Sequence, residues 1–159
     1  MNYNKKNKYY TPAIEEFHFG FEYYYNAKYD SALKCTNGKW RKVKYLGRGD
    51  ILTGYTELKN IKDLIFKEQV RVKHLDREDI EGFGFEYERK NDYGGDTYLL
   101  RVSNMINHDT LYTLDLTQSR LEIKTKHEGG MDDRWHTLFN GVAKNRSELA
   151  RILTQIEVS

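Results

Sequence analysis

The run over 17–25, FHFGFEYYY, carries an aromatic ring at every second position: Phe17, Phe19, Phe21, Tyr23 and Tyr25. Residues two apart share a face only when the backbone is extended. A helix would scatter these rings around its circumference. The segment is therefore expected to be a strand whose ringed face joins the core, with His18, Glu22 and Tyr24 turned the other way. An aromatic share of 14% is also too rich for a disordered chain. At 159 residues the chain has the length of one domain, and such a domain buries roughly 70% of its extended surface. A single cysteine excludes a disulfide framework and a cysteine-built zinc site. No apolar run approaches the ~18–20 residues that span a bilayer, and the first residues lack the apolar stretch of a secretory signal. The expected setting is a cytoplasm.

The remaining elements follow from period and punctuation. Residues 1–11 are polar, basic and without period, and read as a flexible arm closed by Pro12. Residues 39–46 read as a strand whose lysines suit a sheet edge. Leu58, Ile61, Leu64 and Ile65 form a helical stripe over 56–67, with Thr56 as its cap. Residues 70–73 are a short strand, and Asp76 caps a brief helix that ends at Gly82 or Gly84. Strands are expected over 83–90, 97–102, 110–116, 120–126 and 134–139, separated by turns rich in Gly, Asn and Gln. Asn145, with Glu148 three residues on, has the spacing of a capping box, and Leu149, Ile152, Leu153 and Ile156 make one stripe over 145–156. The expected fold is α+β: a twisted antiparallel meander or roll of about seven or eight strands, with a central helix at 56–67 and a C-terminal amphipathic helix at 145–156. It occupies 12–159 as one domain and is similar in layout to the pleckstrin-homology-like architecture, a likeness that carries no function.

Charge is unevenly spread. Residues 1–48 hold ten Lys/Arg against four Asp/Glu, whereas 49–159 hold sixteen against twenty. The densest basic segment interleaves cations with rings: Lys39, Trp40, Arg41, Lys42, Lys44, Tyr45 and Arg48. Cations neutralise phosphates and rings stack on bases, so this segment is the expected partner-binding site, with an edge strand as its ordinary structural role. An opposite pole runs over 76–88, where six carboxylates face only Arg77.

Three blocks, TPAIEEFHFGFEYYY, VRVKHLDREDIEGFGFEYER and TLFNGVAKNRSELARIL, resemble a family of small uncharacterised proteins of Bacteroidota bacteria and their phages. The resemblance implies a bacterial cytoplasm and a phage or mobile-element context. It brings no activity and no motif residues.

No nucleophile elbow, phosphate loop or dinucleotide fingerprint is present. His127, Asp132, Asp133 and His136 form the best metal-binding candidate, a His–carboxylate set within ten residues. Its ordinary reading is a polar hairpin loop, because the spacing matches no helical motif. Glu15, Glu16, His18 and Glu22 are an acid–base candidate. Cys35 follows Lys34, whose charge favours a thiolate, but no partner base is identifiable. No metal site and no cofactor are assigned. The expected function is a non-enzymatic binding protein acting on a host protein or ribonucleoprotein, such as a defence nuclease it inhibits. Contact with nucleic acid is a further form of docking open to the basic segment, although a net charge of +2 is far from that of a typical nucleic-acid binder. The rivals are a small metal-dependent hydrolase or nuclease and a minor phage structural or assembly protein.

Overall fold

The computed structural model describes residues 8–26, 39–45, 47, 58–103, 109–118, 120–128 and 134–158. These residues form an α+β protein with two antiparallel sheets, of four and five strands, and three α-helices. The strands expected in one sheet are thus divided between two. The chain falls into two compact units, Met1–His74 and Leu75–Ser159. Among the described residues no helix is long and apolar enough to cross a membrane.

The first unit contains β1 (Tyr9–Tyr10), β2 (Glu22–Tyr25), β3 (Arg41–Lys44), α1 (Leu58–Phe66) and β4 (Val70–Lys73), with sheet order β1-β4-β2-β3. Tyr9 and Tyr10, expected in the arm, pair with Lys73 and Val72, and Pro12 behind them is fully buried. The strand expected over 17–25 is shorter. Phe21 N–H donates to the His18 carbonyl and Gly20 takes φ +87°, which makes a type II turn at Phe19 and Gly20. The turn throws Phe19 out to 77% exposure, while Phe17, Phe21, Tyr23 and Tyr25 remain in the core. Ile61 and Leu64 of α1 pack on these rings with Tyr45, Val70 and Val72. Helix α1 ends with Glu68 at φ +54°, Glu68 N–H on the Ile65 carbonyl and Gln69 N–H on the Leu64 carbonyl, a Schellman closure. Thr56, proposed as its cap, lies outside the described residues.

The second unit opens with α2 (Arg77–Glu81), where Asp76 accepts from the Asp79 amide as expected. Strands β5 (Glu86–Lys90), β6 (Asp96–Ser103), β7 (Asp109–Thr117), β8 (Arg120–His127) and β9 (His136–Val142) pair in chain order. Helix α3 (Arg146–Gln155) follows. Leu149, Ile152 and Leu153 pack on Tyr98, Leu114, Leu121 and Ile123, all on one face of the sheet. At the start of α3, Asn145 accepts from the Glu148 amide, but the Glu148 carboxylate takes the amide of Lys144, one residue before the position a capping box implies.

Candidate functional site

The four-stranded sheet has one face on α1 and one face outward, and alternation decides what stands on the outer one. Tyr24 is the register partner of both Lys42 on β3 and Arg71 on β4. In the adjoining row Glu22 faces Lys44, and Tyr9 faces Lys73. These side chains share a face opposite the buried Tyr23, Tyr25, Val70 and Val72.

Arg71 is the centre of this face. Its guanidinium lies 3.9 Å from the Tyr9 ring centroid and 4.0 Å from that of Trp40, held between two π-faces. Tyr24 closes the cluster edge-on to Tyr9 at 5.3 Å. A cation over an aromatic face gains about 0.5–2 kcal/mol, more when water is excluded. Arg71 has no ion pair among the described residues, and its Nε is buried without a hydrogen-bond partner. Its charge is positioned by rings, with no acid paired to it among the described residues. Around it, Lys42 pairs with Glu22 at 2.8 Å, and Lys39 and Lys44 are exposed.

The basic segment expected to bind a partner is thereby split by the pleat. Trp40, Lys42 and Lys44 stand on or beside the outer face. Arg41 shares the parity of Val43 and Tyr45, on the core side of the edge strand β3. Tyr45 is buried in the core, edge-on to Phe17, and has no ring face to offer a base. Arg48 lies outside the described residues. Conversely, Tyr9, Tyr24, Arg71 and Lys73 join the face without having been singled out. The one signal for Arg71 and Lys73 was their alternation with Val70 and Val72. Their placement beside Trp40 depends on strand pairing over long sequence distance, which no local pattern encodes.

The other candidates resolve into structural roles or stay incomplete. Glu16 accepts from the Tyr10 hydroxyl at 2.6 Å and from the Ala13 amide, and His18 Nδ1 meets the Glu16 carbonyl. Glu22 pairs with Lys42. Asp76 and Asp79 cap α2, and Arg77 pairs with Glu81, which removes much of the acidic pole from play. His127 Nδ1 meets the Thr110 hydroxyl, and His136 stands across from Thr125 on the adjoining strand. Asp132 and Asp133 lie outside the described residues, as does Cys35, and among the described residues no three His, Cys, Asp or Glu side chains converge to hold a metal.

No protein-family model matches this sequence, and neither a curated protein nor a solved structure matches it.

Proposed function

We propose that the chain is a non-enzymatic binding protein that docks the RNA of a ribonucleoprotein on the outer face of its four-stranded sheet. The observation that carries this reading is the Arg71 guanidinium held between the Tyr9 and Trp40 rings, with Lys42, Lys44 and Lys73 on the same face. Sheet faces that present half-exposed rings beside cations bind single strands by stacking bases and neutralising phosphates. Tyr9, Tyr24 and Trp40 are each half-buried on that face. The resemblance to proteins of Bacteroidota and their phages supplies the biological frame: an accessory protein of a phage or mobile element acting on a host ribonucleoprotein, of which a defence nuclease is one kind.

The test uses a single-stranded RNA oligonucleotide of mixed sequence, followed by fluorescence anisotropy. Wild-type protein should bind it, and Trp40→Ala should weaken binding by about tenfold or more, since stacking of a base on a ring is worth about 1–3 kcal/mol. An unchanged affinity in a folded Trp40→Ala variant contradicts the reading.

A further inference from the structure

The five-stranded sheet also has two faces, and α3 packs on only one. On the other, the register sets Thr97, Asp115, Glu122 and Asn140 in one row across β6 to β9. Leu99, Thr113, Lys124 and Thr137 form the next row. These rows floor an open groove of about 740 Å³. Two rings line it: Tyr93, 87% exposed at the β5–β6 turn, and Trp135, 43% exposed just before β9. The Tyr93 turn is fixed by Asn91, whose side-chain oxygen accepts from the amides of Tyr93 and Gly95.

We infer that this groove binds a neutral carbohydrate, one or more pyranose rings of an oligosaccharide or polysaccharide. Its charge argues for an uncharged ligand. Four lining cations, Arg89, Lys90, Arg120 and Lys124, are matched by four lining carboxylates. Several lining groups already engage one another or a near neighbour: Lys124 pairs with Glu122, Lys90 with Asp96, Arg120 bonds Asn140, and the Thr97 hydroxyl donates to Asp115. A polyanion finds no net attraction here, unlike on the outer face of the first sheet. The same mutual bonds hold carboxylate, amide, hydroxyl and guanidinium groups in place at strand spacing, where paired hydroxyls on a sugar ring present both donors and acceptors. Tyr93 and Trp135 supply flat apolar surfaces with a polar edge, which suit the C–H faces of a sugar. Leu99 and Leu111 add apolar surface to the floor between these rings and polar groups.

The experiment is native affinity electrophoresis of the whole chain in gels containing soluble β-1,3-glucan, galactomannan, xylan or dextran. Trp135 fluorescence is read in a Trp40→Phe background, where Trp135 is the remaining tryptophan of two. At least one of the polysaccharides should retard the protein and shift Trp135 emission. The retardation should be unchanged between about 50 and about 500 mM salt, because no ion pairs form with a neutral ligand. Trp135→Ala and Tyr93→Ala should each weaken it by about tenfold or more while leaving the urea melt in place. Tyr93, at an exposed turn, keeps the test valid if Trp135→Ala fails to fold. Failure of all the polysaccharides to retard the chain overturns the inference. So does retardation that survives both ring deletions, and so does preference for heparin that falls with salt, which would mark a polyanion site.

Discussion

Single residues decide several local outcomes. Helices α1 and α3 both end in a Schellman closure, and both place a glutamate in the left-handed position: Glu68 at φ +54° and Glu157 at φ +56°. A side chain there is strained, and a carboxylate at a helix C-terminus opposes the macrodipole. Glu68→Gly and Glu157→Gly should therefore each raise stability by about 1 kcal/mol, measured by urea melts. A loss of stability in either would mean that the glutamate makes a contact outweighing its strain. Tyr98 is the second case. Burial, its largest cause, pushes the phenol up to about 12, with Asp96 adding to the rise and the Arg77 charge opposing it. A phenol with a raised folded pKa stays protonated in the folded state while the unfolded chain ionises near its ordinary value of 10. Its contribution to stability is thus complete below about pH 10 and is lost as pH rises toward about 12. Tyr98→Phe should remove part of the alkaline loss. Parallel stability curves for variant and wild type between pH 9 and pH 11 would refute the assignment. Phe19 shows where reading residues fails: the two-residue period put it in the core, but Gly20 permits a turn that throws it out.

Among the elements, what is local was legible and what is paired was not. Helix α3 was readable to within a residue because its cap, its stripe and its length are all contained in residues 145–156. The strands of the second unit were found for the same reason, since each is bounded by its own turn. Leu153 stands on the core-facing side of α3 at 4% exposure. Leu153→Ala should cost about 2–5 kcal/mol, the range for emptying a buried leucine site. A urea melt unchanged within error would mean that the helix does not cover the sheet. The division into two sheets was not legible, because the placement of β4 between β1 and β2 joins residues 45 to 64 positions apart. For the same reason the basic segment was seen but its partition was not. Which of Arg41 and Lys42 faces outward depends on the register with Tyr24 and Tyr25.

At the scale of the molecule, the account rests on two sheet faces with different chemistry. One is cationic and aromatic around Arg71; the other is charge-matched, between Tyr93 and Trp135. The hydrolase reading makes a separate prediction, because His127 and His136 would then hold a metal. Elemental analysis of protein purified without chelators should find well under about a tenth of a metal per chain, far below a dedicated site. Stoichiometric metal that disappears in a His127→Ala, His136→Ala double variant would replace the binding account with a catalytic one. The most direct test of the central claim exploits the pleat of β3. Arg41→Glu and Lys44→Glu make the same charge change on one strand, three residues apart, on opposite faces. Both are exposed. Anisotropy with the single-stranded RNA oligonucleotide should show Lys44→Glu weakening binding by about tenfold at low salt, with a shallower salt dependence, while Arg41→Glu stays within about threefold of wild type. Equal losses in both variants, or none in Lys44→Glu, would contradict the assignment of the outer face as the binding surface.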